Sequence, residues 1–125
     1  MPATLPNSDP LTEKIIGCAF HVSNTLGVGF LEKVYENALA LELRLAGLKA
    51  EQQKPVPVIY REAVVGEYFA DILVNDQIIL EIKAAKAMDV SHQAQLLNYL
   101  KATHLRLGLV LNFGTSRLGV KRVAN

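Results

Sequence analysis

The sequence lacks several features that would place it in common functional classes. Its 125 residues include one cysteine, Cys18, so neither an internal disulfide nor a cysteine-rich metal site is available. No apolar run approaches the ~20 residues that a transmembrane helix needs. Residues 1–10 also lack the basic and apolar regions of a secretory signal. These absences lead us to expect a cytoplasmic protein with no membrane segment.

An excess of one charge is missing as well. The formal net charge is +1, which is not the profile of a nonspecific DNA-binding protein of high affinity. The three histidines do not show metal-ligand spacing. No complete phosphate-binding loop and no nucleophile motif occurs. The sequence therefore argues against a histidine metal site, a nucleotide-binding loop and nucleophilic catalysis.

The composition predicts a folded domain. Half of the residues are hydrophobic and a fifth are charged, which is typical of a globular chain that can bury a core. We expect a single domain over residues 1–125, with residues 1–8 as a flexible lead-in. The mean hydropathy of +0.21 is high for a small monomer and favours a homo-oligomer.

Hydrophobic periodicity predicts an α-α-β-β-β-α-β order with a further strand near the end. Asp9 and Pro10 are typical of a helix start, and Gly47 is typical of a helix end. Pro55 and Pro57 favour an edge position for the first strand. The predicted segments lie at about residues 10–25, 31–46, 50–60, 67–74, 78–83, 89–103, 107–113 and 117–123.

Acidic residues interrupt two of these predicted strands. Asp71 lies in one strand, and Glu81 and Lys83 lie on the same face of the next because strand side chains alternate. The neighbours of Glu81 are apolar, so its carboxylate needs a cation or its pKa rises. Two carboxylates offer the oxygen ligands that Mg²⁺ prefers, and an ammonium can orient a water or stabilise charge on a phosphate. The alternative is a cross-strand ion pair on a solvated face.

A shared metal site sets a condition on the hairpin register. Directly opposed residues of an antiparallel pair share a face, and a two-residue turn would put Asp71 and Glu81 on opposite faces. A three-residue loop, Asn75–Gln77, with Val74 opposite Ile78, sets the two carboxylates opposite each other. The sequence therefore predicts this loop, or a bulge that restores the same parity.

The core order, with an Asp followed by Glu-x-Lys, resembles the PD-(D/E)XK nuclease superfamily. Within it, the segment Gly29–Tyr35 is similar to the signature of the small bacterial GxxExxY proteins. The segment Gln95–Tyr99 resembles the QxxxY element of exonuclease-type members. The resemblance extends from about Leu11 to Gly114, and Ala70 stands where the family pattern usually has a proline.

This resemblance implies a restriction-endonuclease-like α/β fold, with a mixed central sheet flanked by helices. It implies a Mg²⁺-dependent nuclease that hydrolyses phosphodiester bonds in DNA or RNA, with Mn²⁺ as a substitute metal. Asp71, Glu81 and the backbone carbonyl of Ile82 would hold the metal, and Lys83 would act on the water or the phosphate. Glu32 would point at the site as an added carboxylate that ligates or positions the metal.

The resemblance also assigns roles to two further residues. Gln95 and Tyr99 would hold the strand that carries the lysine, or contact a substrate phosphate. Tyr35 would pack in the core with its hydroxyl bound nearby. The alternatives for the whole chain are a catalytically inactive binding or assembly module that kept the fold, and a metal site that serves other chemistry.

Overall fold

A computed structural model describes residues 9–125 of the chain. The predicted flexible lead-in at residues 1–8 lies outside this described part. The described residues confirm the predicted order, including the final strand. In chain order the elements are α1 (Pro10–Leu26), α2 (Glu32–Leu45), β1 (Ala50–Tyr60), β2 (Ala63–Val74), β3 (Ile78–Lys83), α3 (Val90–Thr103), β4 (Leu107–Asn112) and β5 (Gly119–Ala124).

The first helix begins as its sequence predicts. The Asp9 carboxylate accepts a hydrogen bond from the hydroxyl of Thr12, at 2.9 Å, and a longer one from the Thr12 amide. Pro10 occupies the first turn, where its missing N–H has no helical partner to lose. Gly27, at φ 70°, ends the helix in a backbone conformation that favours glycine. Within residues 9–125, no helix combines the length and apolarity needed to cross a membrane.

The five strands form one mixed sheet in the order β1-β2-β3-β4-β5. Only β3 and β4 pair in parallel, and the other neighbours are antiparallel. Both are central strands and almost every residue in them is buried, as a parallel pair covered on both faces requires. The predicted edge position of β1, with its two prolines, is confirmed.

Helices cover the two faces of the sheet. Side chains of α1 and α2 pack with one set of strand residues, which includes Ile72, Leu80 and Ile82. Side chains of α3 pack with the alternate set, which includes Leu73 and Ile79. The predicted architecture of a mixed sheet flanked by helices is therefore confirmed. Because strand side chains alternate, the even-numbered residues of β3 face α1 and α2, and the odd-numbered residues face α3.

The loop between β2 and β3 has the predicted length and register. Val74 pairs with Ile78, so three residues form the turn. Asn75 and Asp76 adopt positive φ values of 51° and 56°, which these residue types tolerate well. The Gln77 amide closes the turn on the Val74 carbonyl at 2.9 Å.

The sheet forks at the end of this hairpin. Pairing between β2 and β3 stops at Ile72 and Leu80, whereas pairing between β1 and β2 continues to Tyr60 and Ala63. Residues 54–70 therefore form a two-stranded arm that projects beyond β3. At its base, Gln53 has a φ of 53° and interrupts the pairing between β1 and β2.

Candidate active site at the fork of the sheet

Two carboxylates hold the fork by reciprocal hydrogen bonds. Asp71 Oδ2 accepts the backbone N–H of Ile82 at 2.7 Å, and Glu81 Oε2 accepts the backbone N–H of Asp71 at 3.0 Å. Each side chain satisfies an amide of the opposite strand at the point where the ladder ends. The expected proximity of Asp71 and Glu81 is confirmed, and the reciprocal bonds fix both carboxylates in orientation.

Glu81 lies on the face of the sheet that α3 covers. Its neighbours Leu80 and Ile82 pack in the core beneath α1 and α2, so alternation directs Glu81 to the other side. Ile79, two residues earlier, packs against α3 and confirms this assignment. By the same alternation Lys83 is on the face of Glu81, as the sequence predicted.

Burial disfavours the ionised forms of both carboxyls, and the positive charge nearby does not offset this effect. Glu81 is only 3% exposed. Its burial and then the charge of Asp71 raise the pKa of Glu81 to about 8, whereas the Asp71 amide and Lys83 act in the opposite direction. Burial also raises the pKa of Asp71. Ionisation of both carboxyls would therefore need positive charge in addition to that of Lys83.

A third carboxylate, Glu36, was not predicted. It is 4% exposed on α2, and its charge contributes to the raised pKa of Asp71 and of Glu81. Its oxygens accept hydrogen bonds from the side-chain amide of Gln52 at 2.8 Å and from the side-chain amide of Gln53 at 3.0 Å. Gln53 also reaches Asp71 Oδ1 at 3.5 Å, so one amide bridges the two carboxylates.

Glu36 could have been found by helical spacing. It lies four residues after Glu32 and therefore on the same stripe of α2. Glu32 is exposed and lines a cleft of about 590 Å³ that also contains Glu36, Gln53 and Asp71. The structure thus places Glu32 at the mouth of the site and Glu36 inside it, and a role for Glu32 stays a prediction.

Tyr35 has the packing role that was predicted. It is fully buried and stacks on Phe113, with ring centroids 4.9 Å apart. Its hydroxyl donates to the Gly27 carbonyl at 2.6 Å and accepts the Phe30 amide at 3.2 Å. Tyr35 therefore fixes the loop between α1 and α2, which leads into the cleft.

The backbone after Lys83 is fixed by another residue that sequence reasoning missed. Asn112 is buried, and its side chain accepts the Ala85 amide at 2.9 Å and donates to the Ala85 carbonyl at 3.0 Å. Gly114 passes so close to Ala84 and Ala85 that a Cβ would overlap their backbone. These contacts hold the end of β3 and hence the position from which Lys83 extends.

Two α3 residues complete the surroundings. Tyr99 is buried, and its pKa is raised by burial and then by the charges of Glu81 and Asp71, with a hydrogen bond from Gln95 acting against this. Tyr99 therefore lies within electrostatic range of the carboxylates, and Gln95 lies beside Tyr99. His92, on the same helix, instead caps its start through a 3.5 Å hydrogen bond from the Asp89 amide.

The carboxylate pair fits a magnesium ion, though not as a complete protein cage. Among the residues that the structure describes, no three His, Cys, Asp or Glu side chains are grouped so as to hold a metal. Magnesium, however, is usually held by one or two carboxylates and keeps several waters. Of the two carboxyls Glu81 is buried and Asp71 partly buried, and a cation of this kind would stabilise their ionised forms. Coordination by the Ile82 carbonyl stays a prediction.

Comparisons with known proteins agree with this geometry. No curated protein sequence matches the chain. The crystal structure of SSO0001 is similar, with a TM-score of 0.60 and 17% sequence identity over 75% of this chain and 50% of that one. The match therefore spans half the length of SSO0001, and it supports the restriction-endonuclease-like fold alone. Residues 9–123 match the model of one protein family. The chain belongs to the PD-(D/E)XK nuclease superfamily.

Proposed function

We propose that the protein is a metal-dependent nuclease that hydrolyses phosphodiester bonds in DNA or RNA, and that it is one of the GxxExxY proteins. The observation that carries the proposal is the reciprocal bonding of Asp71 and Glu81, which holds two carboxylates together at the fork. Membership of the nuclease superfamily supports the same reaction. The motif Gly29–Tyr35 supports the narrower assignment.

Asp71, Glu81 and the Ile82 carbonyl would hold Mg²⁺, or Mn²⁺ in its place. When bound, the ion supplies a Lewis acid for the phosphate and lowers the pKa of water. The amides that bind Asp71 and Glu81 keep both carboxylates oriented, so little reorganisation is needed when substrate arrives. Lys83 then orients the attacking water or stabilises the charge that develops on the phosphate oxygens.

The residues around the carboxylate pair would position Asp71, the metal or the substrate. Glu36 and Gln53 would hold Asp71 from the α2 side, because the side-chain amide of Gln53 donates hydrogen bonds to the carboxylates of both Glu36 and Asp71. Glu32, at the mouth of the cleft, adds a carboxylate near the site. Gln95 and Tyr99 border the site from α3, where they would contact substrate or support the strand of Lys83.

One observation favours the inactive module as a second candidate. A Glu81 with a pKa of about 8 keeps its proton at neutral pH, and a protonated Glu81 can hold the fork beside Asp71 without a metal. In that case the carboxylates would serve the fold alone. Metal binding separates the two candidates before any substrate is known.

Calorimetric titration with Mn²⁺ and Mg²⁺ is the first test. The parent protein should bind, and Asp71→Ala should lose binding because it removes one ligand and one orienting hydrogen bond. Asp76→Ala is the matched control, since Asp76 is an exposed aspartate in the turn of the same hairpin. Unchanged binding in Asp71→Ala would place the metal elsewhere, and no binding by the parent would favour the inactive module.

Cleavage is tested on single- and double-stranded DNA and RNA. Lys83→Ala should lose cleavage and keep most of its metal affinity, because an ammonium does not ligate a cation. A fully active Lys83→Ala variant would refute the proposed mechanism. A parent that binds metal and cleaves none of the four substrates would point to a metal site with other chemistry.

A further inference from the structure

A second concave surface, here called the groove, lies between the arm and α3. It encloses about 670 Å³, a volume typical of ligand sites. Val58 and Tyr68 of the arm form one wall, and side chains of α3 form the other. The reaction proposed above depends on Asp71, Glu81 and Lys83, so Tyr68, Asn98 and Lys101 of this groove have no role in it.

The groove contains a half-exposed aromatic ring on a fixed support. Tyr68 is 52% exposed, and its ring centroid is 5.7 Å from that of Tyr99, which is 6% exposed. Val56, opposite Tyr68 in the register, is fully buried against α3. Tyr68 is therefore held in place and still accessible, as an aromatic platform for stacking must be.

The polar groups of the groove suit a nucleotide better than an apolar partner. Gln95 and Asn98 place side-chain amides in it, and amides can donate to and accept from the edge of a base. Lys101 adds a positive charge that can meet a phosphate. None of the described residues that line the groove is an aspartate or glutamate. A second protein copy seated here would have to desolvate both amides and the ammonium.

Tyr99 relates the groove to the candidate active site. Tyr99 lines the groove, and it lies near enough to Asp71 and Glu81 for their charges to raise its pKa. Because the Tyr68 ring contacts that of Tyr99, a strand with a phosphate at the two carboxylates can extend toward Tyr68. In a duplex the faces of that base are covered by its stacked neighbours, so only an unpaired base can use the ring.

We propose that the groove binds an unpaired base of a single-stranded nucleic acid, which stacks on Tyr68 while Gln95 and Asn98 meet its edge and Lys101 meets an adjoining phosphate. The proposal rests on the proposed function for the position of the scissile phosphate, and it makes a single strand or a frayed end the preferred substrate. The near-neutral charge of the chain agrees with binding through local base contacts more than through a broad basic surface.

The test measures binding without cleavage. Fluorescence anisotropy of labelled oligothymidylate is recorded with the full chain in EDTA, so no metal-dependent reaction interferes. Tyr68→Ala should weaken binding about 5- to 150-fold, the equivalent of ~1–3 kcal/mol for one stacked base. Tyr68→Phe keeps the ring and should bind within about twofold of the parent on the same stacking argument. Tyr60→Ala is the matched control, because Tyr60 is 62% exposed on the same arm and does not line the groove.

An abasic strand of equal length distinguishes contacts to the base from contacts to the phosphate. The parent should bind it more weakly than oligothymidylate, and the difference between the parent and Tyr68→Ala should disappear. The proposal would be overturned if the parent failed to bind oligothymidylate, or if Tyr68→Ala bound it as tightly as the parent. It would also be overturned if Tyr68→Ala weakened binding to the abasic strand as much as binding to oligothymidylate. So would a Tyr68→Ala variant that changes self-association in sedimentation and leaves strand binding unchanged.

The same experiments distinguish this proposal from the proposed function. Binding that depends on Tyr68, together with no cleavage under any metal, would support the groove and remove the nuclease. Cleavage by the parent, together with strand binding that ignores Tyr68, would support the nuclease and remove the groove.

Discussion

The Glu81 carboxyl should make the metal-free protein less stable as the pH rises. Burial and the charge of Asp71 raise the pKa of Glu81 from 4.5 to about 8 in the folded chain. Below pH 4.5 the group is protonated in both states and has no effect on the free energy of unfolding. Between the two values the unfolded chain gives up the proton first, so the free energy of unfolding falls. At 1.36 kcal/mol per pH unit the total loss is at most about 5 kcal/mol.

The substitution Glu81→Gln should remove this pH dependence. A glutamine carbonyl can still accept the Asp71 amide, and it has no proton to lose. Urea unfolding from pH 4 to pH 9 should therefore show the variant more stable than the parent above pH 8, by several kcal/mol at most. The matched control is Glu67→Gln, which changes an exposed glutamate of β2 and should follow the parent.

Added metal provides an independent measurement in the same assay. Mn²⁺ at about 100 times its dissociation constant should restore ~2.7 kcal/mol to the parent at pH 8, and much less to Glu81→Gln, which lacks one carboxylate. A parent and a Glu81→Gln variant with parallel stability curves across this pH range would refute the electrostatic account of the site.

Two further substitutions test the support of the site. Glu36→Gln removes a charge that raises the pKa of both Asp71 and Glu81, so the stability loss of the variant should end at a lower pH than that of the parent and be smaller, and an equal loss between pH 4 and pH 9 would contradict the role of Glu36. Gly114→Ala would place a Cβ against the backbone of Ala85, so we expect a loss of more than ~3 kcal/mol in urea unfolding, with Gly17→Ala, where space is open, as the control. A Gly114→Ala variant as stable as the parent would show that this backbone can move.

Much of the fold was predictable because local rules and tertiary demands agree. A run of apolar residues marks β3, and the two prolines of β1 mark an edge. The register of Val74 with Ile78 was predictable from chemistry, because only an odd offset lets Asp71 and Glu81 share a face. The conformations of Asn75 and Asp76 fit a turn of that length.

The part that sequence reasoning missed depends on contacts between distant segments. Glu32 and Glu36 lie on one stripe of α2, and helical spacing alone does not say which of them is buried. The choice is made by β1, whose Gln52 and Gln53 lie at least sixteen residues further along the chain and bind Glu36. Gln53, which reaches both Glu36 and Asp71, has a backbone φ of 53°, and no sequence pattern for glutamine predicts this conformation.

The candidate site and the groove have one structural origin. At the fork, the amides of Asp71 and Ile82 are satisfied by carboxylates instead of by backbone carbonyls. Because the side chains take these bonds, the ladder between β2 and β3 ends at Leu80 and the strands of the arm are free to leave the sheet. The arm then packs on α3 through Val56 and creates the groove beside Tyr68. The two acidic residues therefore shape the fold as well as the candidate site, because the same hydrogen bonds open the surface on which we expect a substrate strand to lie.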